Sequence, residues 1–221
     1  MATSCIGSGN RAPTPSPPYP ITPLPPMPPT HPDLLRNVSL YLVGMMGAGK
    51  STLGKRLAAV LKYRFFDTDT LIEQTAQRSI GDIFAEAGES TFRDLETAVI
   101  RELAPYTRIV VSTGGGMVLR RENWGHLRQG VVVWVDVPLR ELENRLALDR
   151  GRPLLQRPDW RDHLATLLSQ RQALYREADL HLQINPGESV EESCDRMITL
   201  LQSQVRSEPT RVRPANGKPD T

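Results

Sequence analysis

Five short, largely apolar runs punctuate the chain: Val38–Val43, Arg64–Phe66, Arg108–Val111, Val131–Val135 and Leu180–Ile184. The fourth, Val131-Val132-Val133-Trp134-Val135, is apolar at successive positions, not alternate ones. A strand of that kind buries both faces, as central strands of a parallel sheet do beneath helices on either side. Between these runs, apolar residues recur at helical spacing. The pattern predicts helices over Ser51–Lys62, Asp69–Thr75, Ile80–Ala87, Glu89–Leu103, Arg121–Gln129, Leu139–Asp149, Asp159–Ala178 and Val190–Ser203. Gly88 separates the third and fourth and reads as a helix stop. Strand and helix in alternation imply an α/β domain: a five-stranded parallel sheet flanked by helices on both faces.

In such sheets ligands gather at the carboxyl ends of the strands. Polar or glycine-rich segments follow the first three runs here: Gly44 onward, Asp67-Thr68-Asp69, and Thr113-Gly114-Gly115-Gly116. Three loops at one edge of one sheet would converge on a single cleft.

Composition changes the picture mainly at the ends. With 221 residues the chain has room for one domain with a sizeable core. From Ala12 to Pro32 proline dominates, and its missing N–H and fixed φ forbid helix or sheet. Residues 1–36 are therefore expected to be a disordered, polyproline-like tail, and 205–221 a second disordered tail, leaving 37–204 as the folded unit. The proline tail could serve as a ligand for an SH3-like or WW-like domain, but a passive tail is the simpler expectation. A net charge of +2 argues for neither nucleic acid nor an anionic membrane as partner. Two cysteines, Cys5 and Cys194, give no disulfide framework, and His31, His126, His163 and His181 lack metal-ligand spacing. No run is long enough to span a membrane, and the start lacks the continuous apolar core of a secretory signal. A cytoplasmic monomer is expected. The acidic-poor start keeps a plastid-transit reading open, although its few arginines and many prolines argue against an amphipathic presequence.

The candidate chemistry begins at Gly44-Met45-Met46-Gly47-Ala48-Gly49-Lys50-Ser51, which fits G-x-x-x-x-G-K-[ST] between a predicted strand and a predicted helix. Backbone N–H groups of such a loop converge on a polyphosphate, and the helix N-terminus adds positive potential. Lys50 would reach the β- and γ-phosphates, and the Ser51 hydroxyl would ligate one Mg²⁺. A nucleoside triphosphate is the implied ligand.

Asp67, directly after the second run, stands where P-loop proteins place an acid facing the metal, and Asp69 is suited to an acceptor hydroxyl. Capping the following helix is the competing role for Asp69. The glycine triplet Gly114–Gly116 suits backbone pressed against a ligand, with a flexible turn as the alternative. Arg93 and Glu96 share a helix face. Their spacing fits an exposed ion pair and an oriented carboxylate-gripping arginine equally. The stretch Arg150-Gly151-Arg152-Pro153-Leu154-Leu155-Gln156-Arg157-Pro158 predicts a mobile, arginine-bearing lid over about 148–158, the alternative being a solvated basic patch.

Taken together these residues resemble shikimate kinase from Leu40 to about Leu201. The resemblance rests on Gly44–Ser51, Phe66-Asp67-Thr68-Asp69, Ser79-Ile80-Gly81-Asp82-Ile83-Phe84 and Arg93-x-x-Glu96. It extends to Val110-Val111-Ser112-Thr113-Gly114-Gly115-Gly116, Arg152-Pro153-Leu154-Leu155 and Arg171-x-x-Leu174-Tyr175. It implies a fold like that of nucleoside-monophosphate kinases, with a mobile substrate-binding segment over about 68–95. It further implies transfer of the γ-phosphoryl group of ATP to the 3-hydroxyl of shikimate, on the way to chorismate and aromatic amino acids. By position, Asp69, Arg93, Gly114, Gly115, Gly116 and Arg171 match the shikimate pocket, while Gly47, Ala48, Gly49, Lys50, Ser51 and Thr52 match the ATP-phosphate loop. Arg152 matches the lid arginine, Arg145 an arginine beside the adenine, and Asp67 an acid that reaches Mg²⁺ through water. Lys50, Asp69 and Arg152 would carry the catalysis. Ala173 departs from a proline common in the family, and Asn185-Pro186-Gly187 lacks an arginine that some relatives carry near the adenine. A gluconate kinase of the same fold is the nearest rival, disfavoured by Arg-x-x-Glu together with the triplet. A nucleotide-switch protein is a second, disfavoured because guanine-specific Asn-Lys-x-Asp is missing.

Overall fold

The computed structural model describes residues 34–147 and 158–207. Strands β1 (Leu40–Val43), β2 (Arg64–Asp67), β3 (Ile109–Ser112), β4 (Val131–Asp136) and β5 (Leu180–Gln183) form one parallel sheet in the order β2-β3-β1-β4-β5. Around it lie α1 (Lys50–Leu61), α2 (Thr68–Ala76), α3 (Ile80–Leu103), α4 (Arg121–Leu127), α5 (Leu139–Leu146), α6 (Trp160–Tyr175) and α7 (Val190–Ser207), with a 3-10 turn at Met117–Leu119. The expected five-stranded parallel sheet is therefore present.

Burial follows position in the sheet. Every residue of β1 and β3 is buried, and so are the four inner residues of β4, because helices cover both faces of these central strands. At one edge β5 alternates buried and exposed; at the other all of β2 is half-buried. The sequence pattern distinguishes centre from edge but not neighbour from neighbour, so the strand order is new information.

Several boundaries move for local reasons. The first run loses Val38, which is exposed, and Ser39, whose hydroxyl donates to the Tyr106 carbonyl at 2.9 Å. The third loses Arg108, whose φ of 57° breaks the strand and whose N–H donates to the Asn37 carbonyl. Before Asn37 the chain is already packed, with Leu35 buried in the core. At the other end α7 continues four residues past the expected Ser203.

Two helix ends bear on the site. α2 starts at Thr68, directly from β2, and its cap is Asp67, whose carboxylate accepts from the N–H groups of Asp69 (3.1 Å) and Thr70 (3.3 Å). The capping role foreseen for Asp69 thus belongs to Asp67, because strand passes into helix with no loop residue between. The two helices expected on either side of Gly88 join end to end as α3, and Gly88 (φ 79°, ψ 171°) forms the kink. Among the described residues nothing lies within 4 Å of a Cβ placed there, so glycine is required for its backbone angles, not for space.

The proline-rich stretch, Cys5, His31, Arg150–Arg157 with Arg152, the last residue expected of α5 (Asp149) and 208–221 lie outside the described residues. Among the described residues no helix is long and apolar enough to cross a membrane.

Candidate active site

The loop leaving β1 enters α1 at Gly49, whose φ of 84° gives the turn into the helix. Lys50, the first helical residue, is buried, and its ammonium donates to the Gly44 and Met45 carbonyls at 2.8 Å each. The first turn of α1 holds no acidic side chain, so lysine and helix N-terminus together present positive potential to an anion. Ala48 is buried and Thr52 exposed on the first turn. Arg145 on α5 reaches over this loop: its Nη1 donates to the Ala48 carbonyl at 3.5 Å, and its Nε donates to Glu141 at 3.1 Å. Leu146 packs so closely on Gly47 that a Cβ there would come within 2.9 Å of it.

Next to Lys50, the Ser51 hydroxyl donates to the Asp67 carboxylate at 2.5 Å and lies 3.1 Å from the Ser112 hydroxyl. Sheet register causes this meeting. Ser112 ends β3 between the other two strands and pairs with Leu42 of β1 on one side and Asp67 of β2 on the other. Hydroxyl and carboxylate oxygens at one point beside a phosphate loop are the hard donors that suit Mg²⁺. Among the described residues no group of three His, Cys, Asp or Glu side chains offers another metal site.

The glycine triplet follows β3. The Gly114 N–H donates to the fully buried Thr68 hydroxyl at 2.9 Å. A Cβ on Gly114 would stand 2.6 Å from Asp69 Oδ1 and 2.7 Å from Glu96 Oε1. On Gly115 it would stand 3.3 Å from the Met46 nitrogen and 3.6 Å from Arg171 Nη1, and on Gly116 it would overlap the Arg93 guanidinium. The triplet is therefore not a bland flexible turn. It is the surface on which Asp69, Glu96, Arg93 and Arg171 close, and its middle member adjoins the phosphate loop.

Arg93 and Glu96 are not an exposed pair. Glu96 is fully buried, Arg93 is 12% exposed, and Arg93 donates to Glu96 at 2.5 Å and to Glu89 at 2.8 Å. Burial pushes the Glu96 carboxyl above its ordinary pKa; Arg93 opposes the rise and Asp69 adds to it. For Arg93 burial disfavours the charge, but Glu96 and Glu89 outweigh it and the guanidinium is held more firmly charged than usual. Glu96 Oε1 and Arg93 Nε are buried and find no hydrogen-bond partner among the described residues.

On α6 the buried Arg171 donates from Nη1 to the Gly115 carbonyl at 3.2 Å. Tyr175, one turn further on, donates its hydroxyl to the same oxygen at 2.6 Å. Sequence reading used Tyr175, Thr68 and Ser112 only as letters in motifs. The four-residue spacing of Tyr175 from Arg171, which puts both on one helix face, was the available signal.

The shikimate kinase family model matches residues 46–202. The chain is 49% identical over 173 residues to the shikimate kinase of Trichormus variabilis, an alignment covering 78% of this chain and 96% of the relative. It is 48% identical, with the same coverage, to that of Nostoc sp.. This chain belongs to the shikimate kinase family. Shikimate kinase from Acinetobacter baumannii in complex with shikimate superposes with a TM-score of 0.71 at 36% identity, covering 78% of this chain and 96% of that one. Shikimate kinase from Aquifex aeolicus gives 0.66 at 31% identity, covering 76% and 98%. A sugar kinase from Janibacter sp., at 17% identity and a TM-score of 0.50, shares the fold alone. The family resemblance drawn from the motifs is thus borne out.

Proposed function

We propose that the chain transfers the γ-phosphoryl group of ATP to the 3-hydroxyl of shikimate, giving shikimate 3-phosphate and ADP on the route to chorismate. One observation carries this reading. The glycine triplet has two arginines and two carboxylates closed around it, and its middle residue lies against the phosphate loop. An acid with ring hydroxyls, gripped there, sits beside the terminal phosphate of a bound nucleotide.

Placement in the fold and the family resemblance together support the following roles. Arg93, oriented by Glu96, and Arg171 bind the substrate carboxylate through charge-assisted hydrogen bonds. Gly114, Gly115 and Gly116 leave room for the ring and present backbone groups to it. Asp69 orients and deprotonates the acceptor hydroxyl. The backbone from Gly47 to Thr52 cradles the phosphates, and Lys50 exchanges its two carbonyl partners for phosphate oxygens. Arg145, lying over Ala48, borders the adenine. Arg152, outside the described residues, is assigned by the family resemblance alone, to neutralise charge on the transferring phosphate.

Ser51 directly, and Asp67 through water, would hold a single Mg²⁺, which neutralises phosphate charge when bound. Transfer is in line, without a covalent enzyme intermediate, so positioning and electrostatics supply the rate. The proposed setting is a monomer in the cytoplasm.

The deciding experiment is ADP production by the full chain with ATP and Mg²⁺, comparing shikimate with gluconate. Shikimate-dependent turnover is expected. Turnover with gluconate and none with shikimate would reassign the substrate.

A further inference from the structure

The carbonyls of the triplet are held in different ways. The Gly114 carbonyl accepts from the Met117 N–H at 3.1 Å and the Gly116 carbonyl from the Leu119 N–H at 3.0 Å, both backbone bonds that start the 3-10 turn. The Gly115 carbonyl is instead bound by two side chains of α6, Tyr175 at 2.6 Å and Arg171 at 3.2 Å. A carbonyl oxygen has two lone pairs, and here each has its own donor.

This matters because glycine backbone is soft. A Gly115 peptide with no outside anchor could rotate, carrying the Gly116 N–H with it and drawing the Arg171 guanidinium along. The Tyr175 bond, the shorter of the two, takes up that freedom. Tyr175 is itself fixed: its ring is fully buried and stacks on Trp134 of β4 with centroids 6.0 Å apart. Its oxygen also lies 3.7 Å from Met45 Sδ in the phosphate loop. Burial pushes its pKa up to about 12, although the neighbouring Arg171 guanidinium, which also bonds to the hydroxyl, opposes the rise, so the phenol is a donor at neutral pH.

We infer that Tyr175 is a positioning residue for substrate binding: its hydroxyl fixes the Gly115 carbonyl, which leaves Arg171 free to turn toward the substrate carboxylate. This deepens the proposed function and rests on it. In Y175F the carbonyl has one side-chain donor left, Arg171, so any turn of that guanidinium toward the acid strips the oxygen of its last anchor. The ring, its packing on Trp134 and its volume are unchanged.

The test is steady-state kinetics of Y175F in the full chain, with thermal unfolding to verify the fold. The KM for shikimate is expected to rise about 3- to 10-fold, the range of one lost hydrogen bond, while the KM for ATP stays within about twofold. A purely structural tyrosine would lower Tm and the active fraction, and hence kcat, leaving both KM values alone. A double-mutant cycle with R171A supplies a second reading. Since both side chains act on one oxygen, Y175F should weaken shikimate binding less in the R171A background than in wild type. An unchanged shikimate KM in folded Y175F, or strict additivity in the cycle, overturns the inference while the shikimate reading stands. Wild-type protein that neither binds nor phosphorylates shikimate overturns both.

Discussion

Asp67 uses its two carboxylate oxygens for different tasks: Oδ1 caps α2 through the N–H groups of Asp69 and Thr70, while Oδ2 accepts from Ser51 in the phosphate loop. The first turn after β2 is thereby tied to the loop after β1, across the intervening end of β3.

Two substitutions separate those tasks. Asparagine caps a helix about as well as aspartate, whereas alanine costs about 1 kcal/mol. D67N is expected to keep the wild-type Tm yet require far more Mg²⁺ for half-maximal rate, and D67A to lose both. Magnesium titrations and thermal unfolding of the pair test this, and a D67N enzyme with wild-type magnesium dependence would remove Asp67 from the metal shell.

Arg93→Ala should raise the KM for shikimate by about ten- to a hundredfold, corresponding to loss of charge-assisted bonds worth about 1.5–3 kcal/mol. ATP binding should be unaffected. Because the change leaves Glu96 buried beside Asp69 without its cation, Arg93→Lys is the better-folded comparison, and it should still bind poorly for want of a planar fork. Equal shikimate KM values for wild type and both variants would exclude Arg93 from the pocket.

Glu96 gives the protein a pH signature. Its carboxyl is raised in the fold above its ordinary value of 4.5, chiefly by burial, so the folded state keeps a proton that the unfolded chain has released. Stability present below about 4.5 is therefore lost as pH rises toward the folded value. Relative to E96Q, which has no such proton, wild type should lose stability as pH rises from about 4.5 toward the raised folded value. Denaturant titrations of both across that interval check the sign, and a wild type that gains on E96Q with rising pH would contradict it.

Gly116 and Gly88 make an instructive pair. Gly116 has an ordinary φ of −100°, so G116A should fold normally but displace the Arg93 guanidinium and raise the shikimate KM at least about tenfold. At Gly88 (φ 79°) a Cβ would meet nothing among the described residues, so G88A should cost about 1–3 kcal/mol of stability from backbone strain alone. Its effect on activity should reach no further than the hinge of α3. Reversed outcomes would mean that the triplet is a conformational device and not a clearance.

Much of the architecture was readable because it rests on short-range patterning. Largely apolar runs gave β1 and β3, the doubly apolar fourth run gave β4, and Gly88 located the break in α3 from one letter. What stayed hidden depended on tertiary register. Ser112 comes within 3.1 Å of the Ser51 hydroxyl and pairs in register with Asp67 because β3 lies between β1 and β2, which no local period reports. Asp67 displaced Asp69 as the cap because β2 runs straight into α2. The even choice over Arg93 and Glu96 turned on burial: a spacing of three residues fits a solvated pair and a desolvated one alike, and only packing against the triplet decides.

The N-terminal boundary has the same origin. Leu35 is buried although nothing in its polar neighbourhood marks it as core. Removing the residues before Leu34 should leave Tm unchanged, whereas a cut at Asn37 deletes Leu35 and should cost about 1.5–3 kcal/mol.

The three glycines also divide the labour of discrimination. Since each one borders different groups, bulk added at 114 would crowd the Asp69 and Glu96 carboxylates, at 115 the phosphate-loop backbone and Arg171, and at 116 the Arg93 guanidinium. An engineer seeking a kinase for a differently shaped acid would begin at the last of these, where altering one clearance leaves the transfer chemistry in place.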